Sequence, residues 1–271
     1  MQTASNPIVE TYSRLASQYD DQSNDRSCWG KATQKAIATI RLKAECRDVL
    51  DMGCGTGKAL AYLASASPQR RFIGVDPAEN MRVRARERVG GLPNAEIRGG
   101  CFESIPVDTH TVDYLYSILA FHWTTDLEAS IREISRVLRT GAEADLFFIG
   151  RDNGREFILK TTPIFLKYMG PALLLNSARM RKQLTREATF QLFSKTFGSS
   201  RVAVEESYDT YYDTLEGHWG WWVRIEGHFV QIPPDQKQAC DSEVRQALLS
   251  LSEPQGIPYT IHLLHVHLGQ G

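Results

Sequence analysis

The stretch over residues 49–58 constrains the fold more than any other part of the chain. It begins with apolar residues, continues with the acid Asp51, and then carries glycines at alternate positions, Gly53, Gly55 and Gly57. This order predicts a buried strand that runs into a tight turn before a helix, because glycine accepts positive φ and has no Cβ. A ligand can then lie on the turn, facing the unpaired N–H groups of the helix. The G-x-G-x-G spacing differs from the dinucleotide fingerprint and from a P-loop.

Strand and helix patterns alternate after this turn, and the alternation predicts the fold class. The later strands are predicted over 71–76, 95–99, 112–117, 144–149, 201–208 and 259–268. We therefore expect an α/β chain whose Rossmann-like sheet has seven mostly parallel strands and helices on both faces. The helix before the fifth strand is expected over 126–138, with Gly141 as its C-cap.

A second acid, Asp76, ends the strand that follows the glycine turn. It lies one strand-helix-strand unit after Asp51, and ligands in such sheets bind at the carboxyl ends of strands. A carboxylate at this point can accept hydrogen bonds from both hydroxyls of a ribose. The pair Asp76-Pro77 also suits the start of a helix, so capping is the alternative interpretation.

Composition argues against several classes of partner. The chain has 31 Lys and Arg residues against 32 Asp and Glu residues, so we expect no nucleic-acid partner. We find no basic-then-apolar leader and no apolar run of bilayer length, so we expect no membrane association. Five scattered cysteines without a C-x-x-C pair predict reduced thiols in a cytoplasmic protein.

Two clusters of ionisable side chains are expected to have no part in the ligand site. Four arginines after Asp76 occupy alternate positions, which spread around a helix and suggest a solvated face. They are Arg82, Arg84, Arg86 and Arg88.

The histidines of the last strand form the second cluster. His265 and His267 fall on one face of this strand, and His262 falls on the other. Because no cysteine or acid accompanies them at ligand spacing, no metal site is predicted.

Five motifs in order resemble those of class I S-adenosylmethionine-dependent methyltransferases, in the small-molecule branch that includes type 11 and ubiquinone-biosynthesis-like enzymes. The likeness is close over roughly residues 12–149 and is limited to general layout beyond them. The motifs are Asp51-x-Gly53-x-Gly55-x-Gly57; Gly74-Val75-Asp76-Pro77 with Asn80-Met81; Glu103-Ser104-Ile105-Pro106; Val112-Asp113 with Ser117 through His122-Trp123; and Arg136 through Gly141.

The resemblance implies S-adenosyl-L-methionine as the cofactor and a role for each motif. Asp51 would hold the ammonium group of the cofactor, and Asp76 would accept hydrogen bonds from its ribose. Cys101 stands where many relatives carry an adenine-binding aspartate, so adenine recognition is expected to depend on backbone groups and on the face of Phe102. The implied cofactor-binding residues are Tyr19, Asp51, Gly53, Gly55, Asp76, Met81, Phe102 and Ser117.

The methyl acceptor is expected to contact the chain beyond the fourth strand. Methyl transfer requires alignment, and it requires a base only when the acceptor must lose a proton. His122, the candidate catalytic residue, suits a base, a polar contact to substrate or a structural histidine. The cluster around Trp222 suits a substrate pocket or the packing of a helix onto the sheet. The candidate substrate-binding residues are Tyr12, His122, Trp123 and Trp222.

The pattern divides the chain into four parts. Residues 1–46 hold two helices that form part of a lid, and 47–150 form the cofactor-binding core. Residues 151–198 are an apolar helical insert, and 199–271 return to the core with strands six and seven. In the family such an insert commonly caps the acceptor site, and an apolar cap suits an apolar or aromatic substrate. The same surface also suits a homodimer, and the sequence does not separate the two.

The predicted function is methyl transfer to a small, apolar or aromatic molecule. O-methylation of a carboxylate or hydroxyl is favoured, because His122-Trp123 resembles the subgroup of trans-aconitate, malonyl-carrier and juvenile-hormone acid methyltransferases. A C- or N-methyltransferase of a natural-product pathway, or a cofactor-binding relative with other chemistry, is the alternative. RNA and protein acceptors are disfavoured because 117–120 lacks the Asn-Pro-Pro-Tyr-type motif.

Overall fold

The computed structural model describes residues 7–19, 26–225 and 231–269. Its centre is a sheet of seven strands in the order β3-β2-β1-β4-β5-β7-β6. The strands are β1 (Asp48–Met52), β2 (Arg71–Asp76), β3 (Ala95–Gly99), β4 (Val112–Ile118), β5 (Leu138–Ile149), β6 (Val202–Asp213) and β7 (Ile257–Leu268).

Most neighbouring strands of the sheet run in the same direction, and the strand order reverses at one point. The pairs from β3 to β5 are parallel, whereas β7 is antiparallel to both of its neighbours. The chain moves outward from β1 to β3 and then returns to β4 on the other side of β1. The carboxyl ends of β1 and β4 therefore mark the switch point where such sheets bind ligands. The predicted Rossmann-like, mostly parallel fold is confirmed.

Helices cover both faces of the sheet, because alternate strand residues send apolar side chains to opposite sides. Val49 belongs to one buried cluster with residues of α2, α6, α8 and α9, and its neighbour Leu50 belongs to another with residues of α5 and α7. The helices are α1 (Pro7–Leu15), α2 (Cys28–Thr39), α3 (Lys58–Ser65), α4 (Glu79–Val89), α5 (Leu127–Val137), α6 (Arg155–Arg179), α7 (Arg186–Phe197), α8 (Leu215–Ile225) and α9 (Lys237–Leu249).

The end of α5 differs from the expectation. Helix α5 ends at Val137, and the N–H of its C-cap residue Leu138 donates to the carbonyl of Ile134. The chain then continues directly into β5, in which Gly141 has φ of 80°. Gly141 as the C-cap is therefore wrong, and β5 begins six residues earlier than the predicted strand at 144. The register of β5 against β4 shifts near this point, which is typical of an irregular strand start.

The insert after β5 is one long helix with a break. Helix α6 has non-helical dihedral angles at Gly170, with φ of 73° and ψ of 169°, directly before Pro171. Proline disfavours helical backbone at the preceding residue, which explains a break between the two predicted pieces 157–168 and 171–180. The Thr185 side chain caps α7 by accepting from the N–H of Ala188. In the described ranges, no helix combines the length and apolar character needed to cross a membrane.

Candidate functional site

The glycine turn lies at the switch point and is held by main-chain bonds. The N–H groups of Gly53 and Cys54 donate to the carbonyl of Val75 at 2.8 and 3.0 Å. Gly53 has φ of 78°, and a Cβ there would lie 2.3 Å from the Cβ of Ala120. Glycine is therefore required at this position both by the dihedral angle and by the close approach of the chain that leaves β4.

The Asp76 carboxylate joins the glycine turn to the loop after β2. Its two oxygens accept from the N–H groups of Gly55 and Ala78, at 2.9 and 2.8 Å. The bond to Ala78 is the cap-like contact that the sequence suggested as the alternative to ribose binding. Each oxygen keeps a further lone pair, so a ribose hydroxyl can still bind. Burial raises the pKa of Asp76, and the two backbone bonds together with Arg82 oppose that rise.

Asp51 is a buried carboxylate without full compensation. Its side chain is 3% exposed, and Oδ2 has no hydrogen-bond partner among the described residues. Burial raises its pKa to about 8; Tyr116 opposes the rise, and the charge of Asp76 adds to it. A buried acid that lacks a partner is costly in isolation and is a good ligand for a cation. The residues present therefore fit the ammonium group of an amino-acid moiety.

Two of the four arginines of α4 hold the loops of the site, which corrects the expectation of a solvated face. Nη1 of Arg82 donates to the carbonyls of Asp76 and Pro77, both at 2.8 Å. Nη1 of Arg88 donates to the carbonyl and hydroxyl oxygens of Thr56 at 2.8 and 2.9 Å. The spacing along the helix did not reveal this, because the acceptors are main-chain groups of separate loops.

Arg84 and Arg86 remain on the solvated face, as expected. Arg84 pairs with Glu87 at 3.1 Å, and Arg86 pairs with Glu79 at 3.3 Å. Such exposed pairs contribute little to stability.

Helix α1 covers the start of α4 and brings several predicted site residues together. The Asn80 side chain donates to the carbonyl of Ser13 at 3.0 Å. Met81 is buried in a small cluster with Ala16 and Ala78, against which Tyr12 and Tyr19 pack. The predicted lid role of the N-terminal helices stays a prediction. Residues 1–6 and 20–25 of the predicted lid lie outside the described residues.

The aromatic rings of Tyr12 and Tyr19 lie near the loop after β4. The ring of Tyr12 lies edge-on to Tyr19 and to Trp123, with centroids 6.0 Å apart in both cases. The Arg181 guanidinium lies over the Trp123 ring at 5.9 Å from its centroid. Three predicted residues are thus joined in one group, and Arg181 is an addition that sequence reasoning missed.

The chain leaves β4 through a strained residue and enters a short 3-10 helix, Phe121–Trp123. Leu119 has φ of 56°, which is rare for a residue with a γ-branched side chain and is common near functional sites. His122 in this helix is 3% exposed, and its Nδ1 has no partner among the described residues. Burial, and then the charge of Arg181, hold the pKa of His122 well below its usual range. The imidazole is therefore neutral near pH 7.

Ser117 and Phe102 lie beside this loop. Ser117 is fully buried in β4, and its Oγ has no partner within the described part of the chain. Phe102 is nearly buried, and its ring lies edge-on to Phe121 at 5.3 Å. Their roles toward a cofactor stay predictions.

Glu103 ties the loop after β3 to the loop after β4. Oε1 accepts from the hydroxyl of Thr124 at 2.6 Å, and from the hydroxyl and N–H of Thr125 at 2.7 and 2.6 Å. The N–H of Asp126 adds a bond at 3.1 Å. Burial would raise the pKa of Glu103, but these bonds outweigh it and lower the pKa to about 2. The carboxylate is therefore ionised and holds the 3-10 helix in place.

Trp222 packs among other residues than Tyr12 and Trp123 do. Its ring is 5.0 Å from Phe157 and 6.3 Å from Phe165, both in α6, and its side chain is buried. Tyr12 and Trp123 instead contact one another, with ring centroids 6.0 Å apart. The packing alternative thus has direct support, and a substrate role for Trp222 stays a prediction.

A Rossmann-like sheet, a glycine turn at its switch point and an acid near the end of each of the first two strands are typical of class I S-adenosylmethionine-dependent methyltransferases, and the chain shares the fold of solved methyltransferase-like structures. More narrowly, residues 49–141 match the family model described as a methyltransferase domain. This segment covers the glycine turn, Asp76 and the 3-10 helix. The class expected from the motifs is confirmed.

Known proteins resemble the chain over parts of its length. The malonyl-[acyl-carrier protein] O-methyltransferase of Methylococcus capsulatus is 34% identical over 93 residues, which are 34% of each chain. The YcgJ protein of Bacillus subtilis superposes with a TM-score of 0.56 at 19% identity, over 89% of this chain and all of that one.

A third likeness is to phosphoethanolamine N-methyltransferase 2 of Haemonchus contortus, solved in complex with S-adenosyl-L-methionine. It superposes with a TM-score of 0.54 at 14% identity, over 98% of this chain and 57% of that one. Identities this low establish the fold alone. The chain spans 27% to 54% of the length of the first curated relatives it matches, so the activity of the whole protein is treated as a proposal.

Proposed function

We propose that this protein transfers a methyl group from S-adenosyl-L-methionine to a small molecule. The observation that carries the proposal is the buried, incompletely compensated acid Asp51 beside the glycine turn, with Asp76 bound to that turn. An ammonium group and a ribose on one ligand match these two acids. The cofactor supplies an electrophilic methyl group on a sulfonium.

Each part of the cofactor has residues suited to hold it. Asp51 would accept from the ammonium group, and the backbone of Gly53 and Gly55 offers the close approach that the methionine portion requires. Asp76 has lone pairs left for the ribose hydroxyls. Met81 is buried under α1 in an apolar cluster, and the adenine ring would lie beside this cluster. Tyr19, Phe102 and Ser117 complete the proposed cofactor site.

The acceptor would lie between α1 and the 3-10 helix, against Tyr12 and Trp123. Arg181 over the Trp123 ring brings a positive charge to this group, which suits a carboxylate on an otherwise apolar or aromatic acceptor. We therefore favour O-methylation of a carboxylate or hydroxyl. The similarity to malonyl-[acyl-carrier protein] O-methyltransferases supports this choice.

His122 would position the acceptor and not serve as a strong base. A buried imidazole whose pKa is far below its usual range accepts a proton poorly, but its neutral ring can accept or donate one hydrogen bond. A carboxylate acceptor needs no base, so a weakly basic His122 is compatible with that chemistry. For a hydroxyl acceptor, proton removal would depend on His122 or on water.

C- or N-methylation remains the second candidate, since an N-methyltransferase shares the fold. We also propose a cytoplasmic location, which the five free cysteines support. A homodimer through α6 is part of the same proposal. Its exposed Leu159, Leu166 and Leu173 offer an apolar surface for a second copy.

The binding test is calorimetry with S-adenosylhomocysteine. Asp76→Ala is expected to abolish measurable binding, because it removes the ribose acceptor and two bonds that hold the turn. Asp108→Ala is the matched control, since this acid is exposed on the loop before β4. Equal binding by Asp76→Ala and the control would refute the cofactor assignment.

The acceptor test is mass spectrometry of cell extract incubated with the protein and deuterated methyl donor. The expected product gains one labelled methyl group that mild alkaline hydrolysis releases, as for a methyl ester. A label that resists hydrolysis and is attached to oxygen would favour a hydroxyl acceptor. A label on nitrogen or carbon would reject O-methylation.

A further inference from the structure

Two imidazoles and one carboxylate meet on the sheet outside the site described above. Asp145 of β5 is paired with His267 of β7, and His265 lies two residues earlier on the same face of β7. Oδ1 of Asp145 is 2.6 Å from Nε2 of His265 and 2.9 Å from Nδ1 of His267. Within the described ranges, no other group of three His, Cys, Asp or Glu side chains brings its ligand atoms this close, within 4.8 Å.

We propose that Asp145, His265 and His267 bind a divalent transition-metal ion of the zinc type. Two imidazole nitrogens and a carboxylate oxygen form a donor set that zinc accepts, with water in the fourth position. Cobalt, nickel and copper ions suit the same donors, whereas magnesium and calcium prefer oxygen ligands. Metal bonds of about 2.0 Å place tetrahedral ligand atoms ~3.3 Å apart. To bind an ion, the two contacts of Asp145 would widen, and the two imidazole nitrogens, now within 4.8 Å, would move closer together.

The surroundings of the cluster resemble the supporting contacts of metal sites. The Tyr114 hydroxyl donates to Oδ2 of Asp145, which orients the carboxylate. Oε2 of Glu205 lies 3.6 Å from Nδ1 of His265, on the far side of that ring from Asp145. The His265 ring also stacks on Phe147 at 4.2 Å. A carboxylate that hydrogen-bonds behind a ligating imidazole fixes its tautomer and increases its affinity for metal, and Glu205 would have to approach by ~0.5 Å to make that bond.

Access also suits an ion. The side chain of Asp145 is 8% exposed and that of His267 is 42% exposed, so the ligand oxygen is sheltered while one imidazole faces solvent.

The sequence prediction of no metal site assumed that the acid must lie near the histidines along the chain. The structure supplies the acid from β5, 122 residues before His267. Antiparallel pairing of β5 and β7 brings it into contact.

The primary test uses the whole chain, freed of any histidine tag and stripped with a chelator. Calorimetric titration with zinc chloride is expected to give one ion per chain, and cobalt chloride is expected to produce visible absorption bands of a low-coordinate site. Long-range ¹H–¹⁵N spectra of the wild-type imidazoles should show shifts at His265 and His267 on zinc addition. Absence of zinc binding at about 100 μM free ion would overturn the proposal.

Variants then locate the ion. His265→Gln and His267→Gln are each expected to weaken zinc binding at least about tenfold. His110→Asn is the matched control, because it removes an imidazole at φ of 55°, a region that asparagine tolerates. Zinc binding of wild-type strength in both Gln variants would place the ion on other groups and overturn the proposal. If a variant fails to fold, the wild-type imidazole shifts decide the matter: shifts confined to other histidines overturn it.

Discussion

Asp51 gives a testable prediction, because the buried acid lowers the stability of the fold while it serves the proposed cofactor site. Its pKa is raised from 3.8 to about 8, mainly by burial, so the folded chain prefers the protonated acid. A raised carboxyl pKa means that stability is greatest below the unfolded pKa and falls as pH rises toward the folded one. We expect Asp51→Asn to remove this loss, because the amide stays neutral and nearly isosteric.

The magnitude follows from the pKa shift. For one proton, linkage limits the change in the free energy of unfolding to about 1.4 kcal/mol per pH unit, between pH 3.8 and about pH 8. Between pH 5.5 and 8 the advantage of the variant over wild type should therefore grow by up to ~3 kcal/mol. Relaxation of the site and entry of water reduce this, so we expect about 1–3 kcal/mol.

The assay is urea unfolding of wild type, Asp51→Asn and the control Asp108→Asn at several pH values from 5.5 to 8. In parallel, calorimetry should show that Asp51→Asn weakens S-adenosylhomocysteine binding. Wild type should release a proton on binding, seen as a dependence of the heat on the buffer. A variant that is less stable than wild type at every pH, or that binds with unchanged affinity, would refute the reasoning.

Other predictions follow from the same site. Gly53→Ala should lose about 2–4 kcal/mol in urea unfolding, because its Cβ would lie 2.3 Å from that of Ala120, whereas Gly91→Ala has open space and should be nearly neutral. His122→Ala should keep cofactor affinity and raise KM more than it lowers kcat; loss of turnover at unchanged KM would instead make the imidazole a base. Glu103→Gln should be less stable than wild type above pH 4.5, by less than about 2 kcal/mol after allowance for solvent, and the difference should vanish as pH falls toward 2.

Local features of the site could be predicted because short-range rules control them. A strand, a glycine turn and a helix follow from residue types at fixed spacing, so the sequence alone predicts the positions of Gly53 in the turn and Asp76 at the end of β2. The sequence assigns Tyr12 and Trp123 the same predicted role, but it does not predict the contact between their rings. The contact itself depends on how α1 packs on α4.

Features that depend on distant pairing could not be predicted in this way. Arg82 and Arg88 bind main-chain carbonyls of two loops, and nothing in their spacing names those acceptors. The shortened end of α5 and the early start of β5 reflect pairing with β4, which outweighed the signal of Gly141 as a cap.

The sequence by itself determined the seven strands in chain order, the glycine turn and the two acids near the ends of the first strands. These depend on backbone preference and apolar periodicity, which act over a few residues. Only the tertiary structure decided how deeply Asp51 and His122 are buried, and therefore which charge each prefers. It also decided that Asp145 meets His265 and His267, because strand register joins residues that are far apart in the chain. Burial and register belong to the whole sheet, so they appear only when the chain is folded.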